Sequence, residues 1–340
     1  MRTHAIPGAQ RTRWATTSVV CLTVLLAGCG VRLETPDPAP LLPDAVEVVR
    51  QDAAEYAMAI AEVAARVAAL AQTSDEVGAV LDLVADACES HLAALGGVYE
   101  AFPTATATAT ATASTSTPSD DAAASVAEGG SLERVVALLR VGGDRAFAAA
   151  DRVPDGPMAR LLASVGTSRL LLADALATAA GDAVEPAAAP VVPERVPDGV
   201  TVADLLVLIQ SEDAAGLAWE VAAARSAEPD RGSAAVRATA HRDRAQAWAE
   251  AADVAGSGTD PRRTSYDLPD ALSDPSALPA QMHASLAEIE GRLAASYASL
   301  VAVAEPGARM HLRDALTDCV RTQVTLGVQP VPLPGMPGST

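Results

Sequence analysis

Glu212 and His241 are the two residues whose type and position most favour chemistry inside a helical bundle. Each interrupts an apolar face whose members recur every three or four residues, the spacing of one side of an α-helix. The face of Glu212 includes Leu205, Ile209, Gly216, Trp219 and Ala223, and that of His241 includes Ala234, Ala238, Ala245, Trp248 and Ala252. A carboxylate and an imidazole that meet there can ligate a metal ion or form a buried hydrogen-bonded pair.

Further metal ligands are missing from the predicted positions. A di-metal centre in a four-helix bundle needs a carboxylate from each of two helices and Glu-x-x-His from each of the other two. Ala238 stands three residues before His241, where that motif requires Glu. Four carboxylates of the two following segments lie off the apolar stripes: Glu288, Glu290, Asp314 and Asp318. We therefore expect a buried polar pair, satisfied by its own members or by a nearby Arg, that fixes helix register; the alternatives are a vestigial or mononuclear metal site and solvent exposure.

The elements that must position this pair recur along the chain in two halves. The first half, residues 45–185, has four segments of helical periodicity and a Thr/Ala-rich stretch at 102–130, which we expect to be a disordered loop. Several prolines mark a linker at 186–200. The second half, residues 201–338, has four further helical segments.

Composition and internal similarity predict the fold class. Hydrophobic residues make up 50% of the chain but aromatic residues only 3%, which favours close-packed helices over strands. His91 and His241 fall in the second segment of their halves, 150 residues apart, as expected of a duplicated unit; two unrelated pairs of helical hairpins are the alternative. We predict an all-α fold made of two four-helix bundles.

The formal net charge of −19 excludes several classes of partner. A surface this acidic repels phosphate backbones and anionic headgroups, so we expect no nucleic-acid binding and no polybasic membrane patch. The sequence also lacks a Gly-rich phosphate loop after a strand, a Cys-x-x-Cys pair and a Ser nucleophile elbow. We therefore expect no cofactor and no nucleophilic catalysis.

The segment LLAGCG at 25–30 ends an apolar run that follows an Arg-containing N-terminus. This order is typical of a secretory signal, and the run is shorter than the roughly 20 residues that span a bilayer. The letters LAGC resemble the lipobox of bacterial lipoproteins. We predict a lipoprotein signal peptide over 1–28, a diacylglyceryl group on Cys29 and a Pro-rich tether over 29–44; an ordinary signal peptide that contains a cysteine is the alternative.

The predicted lipid gives the protein its location. A diacylglyceryl group supplies two acyl chains, about the number that stable anchoring requires. We expect the protein at the extracytoplasmic face of the cell membrane, held by its lipid anchor. The expected partners are that membrane and an envelope protein that the sequence does not identify.

Two cysteines, Cys88 and Cys319, remain beside Cys29 and the Cys21 of the predicted signal peptide. In an exported protein they could form one disulfide bond. The alternative is a pair of buried free thiols that pack as small apolar side chains.

The second half carries motifs of a known family. The motifs are EDAAGLAWEVAAARS, AHRDRAQAW, SYDLP at 265–269 and the tail PVPLPGMPG. Over about residues 200–338 the chain resembles the ferritin-like domain of unknown function 4439 that is found in actinobacterial lipoproteins. The resemblance implies a four-helix ferritin-like bundle and no established activity.

These features favour a non-catalytic role. We expect a cell-envelope lipoprotein that acts as a structural or binding protein, because the inward carboxylates needed for a catalytic metal centre are missing from the apolar stripes. A degenerate ferritin-like oxidoreductase that binds metal is the alternative.

Overall fold

The structure is a computed structural model and describes residues 43–70, 74–98 and 131–338. These residues form nine α-helices and contain no β-strand, so the prediction of an all-α fold is confirmed. The helices are α1 Ala45–Ala68, α2 Asp75–Leu95, α3 Leu132–Arg152, α4 Gly156–Ala179, α5 Val202–Arg225, α6 Asp230–Ala251, α7 Asp270–Ser273, α8 Pro279–Val303 and α9 Met310–Thr325.

Local sequence signals fix the start of most long helices. Each N-cap side chain accepts a hydrogen bond from a backbone N–H of the first turn, which would otherwise lack a partner. Five helices begin with such a cap: Asp44, Ser74, Ser131, Asp155 and Thr201. At α5 the cap is a reciprocal box, because Asp204 also accepts from the backbone N–H of Thr201.

Helices α1 to α4 form the first half as a four-helix group. Helix α1 packs on α2 and α3, and α4 packs on the other sides of the same two helices. Arg169 of α4 lies inside this group, where its guanidinium donates to the backbone carbonyls of Ala53 and Gly142 at 2.7 and 3.2 Å. Burial lowers the pKa of Arg169 to about 10.

The second half is built from two helical hairpins. Helices α5 and α6 form one, α8 and α9 form the other, and α5 packs against α8. Among the described helices α6 packs only along α5, so its backbone stays apart from α8 and α9. Long side chains bridge the space between α6 and the α8–α9 hairpin. Polar residues of these helices can therefore meet there.

The two halves form one compact unit with a shared apolar core. Helix α4 packs against α8 and α9, where the hydroxyls of Thr167 and Thr317 hydrogen bond at 3.0 Å. These threonines are 150 residues apart, the offset that also separates the two histidines. Arg309 is buried at this junction and donates to the carbonyls of Ala150 and Val153 at 2.7 and 2.6 Å. The predicted bundles are therefore packed against each other.

Helix α4 is also the one helix of the described residues whose length and apolar composition would allow it to cross a bilayer. Most of this apolar stretch is buried against the other helices. That burial is what the core helix of a helical bundle shows.

The two remaining cysteines are free and buried. Cys88 lies in a core cluster formed by α1 to α4, whereas Cys319 lies in the core cluster shared by both halves. Burial raises the pKa of the Cys88 thiol to about 11 and raises that of Cys319 as well. The structure therefore contains no disulfide bond between Cys88 and Cys319, because the two thiols pack in separate clusters. Both pack as small apolar side chains.

Other predictions concern residues outside the described ranges. These are the signal peptide over 1–28, the lipidated Cys29, nearly all of the tether and the Thr/Ala-rich loop at 102–130.

Candidate functional site

His241 lies between two carboxylates inside the second half. Its Nδ1 is 2.5 Å from Oε2 of Glu212 in α5, and its Nε2 is 2.9 Å from Oε1 of Glu290 in α8. All three side chains are fully buried. A carboxylate accepts hydrogen bonds, so the imidazole must donate from both nitrogens, which requires its protonated form.

Opposite charges hold these groups ionised despite their burial. Desolvation acts against the imidazolium, but the carboxylates of Glu290 and Glu212 raise the pKa of His241 above its ordinary value. Burial alone would raise the pKa of Glu212, yet Arg244 and His241 lower it. The pKa of Glu290 is lowered in the same way by His241 and Arg237.

Arg237 of α6 bridges α8 and α9. Its guanidinium forms a fork on Glu290, with Nε 2.9 Å from Oε1 and Nη2 2.7 Å from Oε2. The third nitrogen, Nη1, donates to Oδ2 of Asp318 in α9 at 2.5 Å. A two-point contact of this kind fixes geometry as well as charge, so it defines the distance between α6 and α8.

Arg244, two turns after Arg237 along α6, completes the network. Its Nη1 donates to Oδ2 of Asp318 at 2.6 Å, and its Nε lies 3.3 Å from Oε1 of Glu212, an ion-pair distance without hydrogen-bond alignment. Its Nη2 is 3.1 Å from Nδ1 of His241. Since that nitrogen already donates to Glu212, this last contact joins like charges, and the neighbouring carboxylates compensate it.

Three aromatic side chains add neutral donors. Tyr297 of α8 donates to Oε1 of Glu212 at 2.5 Å, and Trp248 of α6 lies 3.3 Å from the same Tyr hydroxyl. Trp219 of α5 donates to Oε1 of Glu290 at 3.0 Å. Both tryptophans are buried in the core, and their indole N–H groups also donate to the network. Burial and the charge of Glu212 raise the pKa of Tyr297 well above its ordinary value.

A second cluster beside the network positions the coil that joins the two hairpins. Asp213 accepts from Arg242 at 2.5 Å and from the hydroxyl of Tyr266 at 2.7 Å. Arg242 crosses α5 at Gly216, where an added Cβ would lie 2.8 Å from its Cδ. Burial and the bond to Asp213 raise the pKa of Tyr266 to about 12. Tyr266, from the SYDLP motif, thereby holds the coil against the bundle.

The inner charges of the network cancel. Three carboxylates face two guanidinium groups and one imidazolium; its members are Glu212, Glu290, Asp318, Arg237, Arg244 and His241. Every oxygen of the two glutamates already accepts from a protein donor or pairs with a cation, and both nitrogens of His241 are engaged.

This arrangement does not fit a metal centre. Arginine nitrogens cannot ligate, and an incoming ion would have to displace a guanidinium from its fork. Among the described residues no group of three or more His, Cys, Asp or Glu side chains has an arrangement that could hold a metal ion.

Residues 204–338 match the family model described as domain of unknown function (DUF4439). The match includes every member of the network, from Glu212 to Asp318. Comparison with curated proteins and with solved structures found no match to this chain.

Within the segment that matches this family model, the carboxylates lie elsewhere than the sequence predicted. Glu212 and His241 meet inside the bundle, which is incompatible with the solvent-exposed alternative. Glu290, placed off the apolar stripe by the sequence, is fully buried in the network. Asp318, also placed off its stripe, reaches the network through two arginines. The reason is that α8 is buried on two sides, so it carries two apolar stripes.

A second stripe in the sequence would have revealed Glu290. Ala287, Glu290, Ala294, Tyr297 and Val301 recur at intervals of three and four residues, and all are buried. Arg237 and Arg244 have no comparable signal, because a long side chain reaches inward from the border of a helix face.

The buried histidine of the first half, His91, has different hydrogen-bond partners from His241. His91 is buried and its Nε2 donates to the carbonyl oxygen of Pro332 in the C-terminal tail at 2.7 Å. Burial, together with the charge of Arg169, lowers the pKa of His91 to about 3. His91 is therefore neutral where His241 is charged, so the two buried histidines differ in chemistry.

His241 gives a testable dependence of stability on pH. The pKa of His241 is higher in the folded than in the unfolded state. Its contribution to the free energy of unfolding is therefore complete below pH 6.5 and is lost as the pH rises through the raised pKa. The difference in urea midpoint between the wild type and His241→Gln should therefore be largest near pH 6 and shrink toward pH 9.

His91 has the opposite effect: because its pKa is lowered, its contribution to the free energy of unfolding is lost as the pH falls below 6.5. His91 is present in both the wild type and His241→Gln, so its effect cancels in the difference between them. His283→Gln, which removes an imidazole outside the network, is the matched control for the substitution itself. A difference for His241→Gln that stays constant from pH 6 to pH 9 contradicts the imidazolium assignment.

Proposed function

We propose that the chain is a cell-envelope lipoprotein whose DUF4439 domain is a non-catalytic structural or binding module with a ferritin-like fold. The observation that carries this proposal is the position of Arg237 and Arg244, whose guanidinium groups neutralise the inward carboxylates from within the protein. A ferritin-like oxidoreductase would use those carboxylates as metal ligands instead.

The burial of the network also argues against catalysis. A catalytic acid or base must reach its substrate, either directly or through one water molecule. Glu212, His241 and Glu290 are fully buried, and each is committed to protein partners. Such a network stabilises one arrangement of four helices, which suits a module that presents a surface rather than a reaction centre.

Metal content tests the non-catalytic assignment. Full-length protein purified without chelator should contain far less than one iron, manganese or zinc ion per chain, both as isolated and after incubation with each ion. Glu212→Ala and His241→Ala should leave this content unchanged, as should the control Glu220→Ala on the surface of α5. Stoichiometric metal that both network variants abolish and the control retains would overturn the proposal in favour of an oxidoreductase.

Lipidation at Cys29 tests the cellular location. Cells that express the protein and are fed labelled palmitate should incorporate the label, and the protein should fractionate with membranes. Cys29→Ser should lose both properties, while the control Cys21→Ser should retain them because the control keeps the acceptor thiol. Globomycin should cause the precursor to accumulate; a wild-type protein without label or precursor accumulation contradicts the anchor.

A further inference from the structure

A cavity of about 630 Å³ lies between α8, α9 and the C-terminal tail of the DUF4439 domain. Its floor is a face of α8 made of small residues, Ala284, Ala287, Gly291 and Ala294. Its walls are mainly apolar and include Val320, Val324, Val328, Val331, Pro334 and Met336. This volume is in the range of about 300–1,000 Å³ that is common for small-molecule sites.

The tail that forms one wall is fixed by two polar side chains of the first half, the buried His91 and the partly buried Arg160. His91 donates to the carbonyl of Pro332 at 2.7 Å, and Arg160 donates to the carbonyl of Gly335 at 2.5 Å. Because the pKa of His91 is far below neutrality, this ring stays neutral and its Nε2–H bond to the tail persists at physiological pH. The wall is therefore held from outside the cavity, by residues that do not line it.

Gly335 allows the tail to approach α8 closely. Its φ of +74° lies in the left-handed region that favours glycine, and an added Cβ would lie 2.7 Å from the Cβ of Ala298. Glycine on α8 has a similar role, since a Cβ at Gly291 would lie 2.8 Å from Nε2 of Gln323. The cavity is thus formed before any ligand arrives, which reduces the entropy cost of binding.

The rim of the cavity offers a positive charge. Arg292 lines the cavity from an exposed position and forms no ion pair with any carboxylate of the described residues. Glu288 lies one turn earlier on the same rim and is exposed, and its carboxylate forms no ion pair with Arg292. An apolar interior with a free guanidinium at its edge matches a ligand with an alkyl chain and an anionic end.

We propose that this cavity binds a long-chain carboxylate, with the alkyl chain along the alanine floor of α8 and the carboxylate at Arg292. The site depends neither on catalysis nor on the lipid at Cys29, so it goes beyond the proposed structural role. Valine and alanine side chains supply the contact with the chain, and the guanidinium gives the preference for an anion.

Calorimetric titration with dodecanoate tests the site, with the full chain carrying Cys29→Ser so that no attached lipid or detergent competes. One dodecanoate should bind per chain, and affinity should rise about fourfold for each methylene from octanoate to dodecanoate, as burial of alkyl surface predicts. Dodecyltrimethylammonium, which has the same chain and a positive end, should bind more weakly.

Two blocking variants and one charge variant assign the binding to this cavity. Ala284→Phe and Val328→Trp each fill part of the space and should each weaken dodecanoate binding at least about tenfold, which corresponds to excluding two or more methylenes. Arg292→Gln should weaken it by about fivefold or less, the factor of an exposed ion pair, and should abolish the preference for the anion.

Ser299→Phe is the matched control, because it adds the same ring at an exposed position of α8 outside the cavity. It should bind dodecanoate as the wild type does, and circular dichroism melts should show that all variants are folded. Absence of saturable one-to-one binding overturns the proposal. So does affinity that neither Ala284→Phe nor Val328→Trp changes, or cationic and anionic amphiphiles that bind equally well.

Discussion

Replacing Glu290 with alanine should lower the free energy of unfolding by about 3–5 kcal/mol, the usual cost of removing one partner from a buried ionic network. Glu290 accepts from His241, from Trp219 and from Nε and Nη2 of Arg237, so its loss leaves several donors unpaired in an apolar interior. Two of the groups left behind are cations, whose desolvation is then uncompensated.

The control for this prediction lies two residues earlier on the same helix. Glu288 has the same side chain but is exposed and forms no ion pair among the described residues, so Glu288→Ala should change stability by only about 0.5 kcal/mol or less. Urea unfolding followed by tryptophan fluorescence is a suitable measurement, since Trp219 and Trp248 contact the network. Equal urea midpoints for the two variants would show that the network contributes little.

The helices were predictable because their signals are local. An apolar residue at every third or fourth position and a capping side chain before the first turn both lie within a short stretch of sequence. The four helical segments predicted in each half therefore correspond to the eight long helices of the described residues. Only α7, a single turn in the coil that joins the two hairpins, was not anticipated.

The network was predictable only in part, because most of it depends on distances between helices. Glu212 and His241 were found since each interrupts one apolar face. Glu290 was missed because one stripe was assumed for α8, which packs on both α4 and α5. Which carboxylates the two arginines contact depends on the distance between α6 and the α8–α9 hairpin. The spacing of apolar residues within one helix contains no information on that distance.

The cancellation of charge explains why such a network can persist without a metal. A buried carboxylate is costly unless a cation or several donors compensate it. Here each cation of α6 reaches two carboxylates, so Arg237 joins α8 to α9 and Arg244 joins α5 to α9. Removing any one group leaves the rest unbalanced, which ties the positions of all four helices to a single arrangement.

The junction between the halves depends on glycine in a way that a substitution can measure. An added Cβ at Gly156, the first residue of α4, would lie 2.0 Å from the carbonyl oxygen of Ala302 near the end of α8. The obstacle is backbone, which cannot rotate away, so the two halves would have to separate locally. Gly156→Ala should therefore destabilise the protein by about 3 kcal/mol, near the upper end of the usual cost of overpacking.

Gly78→Ala provides a control with the opposite expected sign. Gly78 lies within α2, and an added Cβ there would meet no atom within 4 Å. Alanine loses less backbone entropy than glycine on folding into a helix, so this variant should be more stable than the wild type by about 0.5–1 kcal/mol. Thermal melts of both variants should shift in opposite directions; a Gly156→Ala protein as stable as Gly78→Ala would mean that α4 and α8 do not pack at this distance.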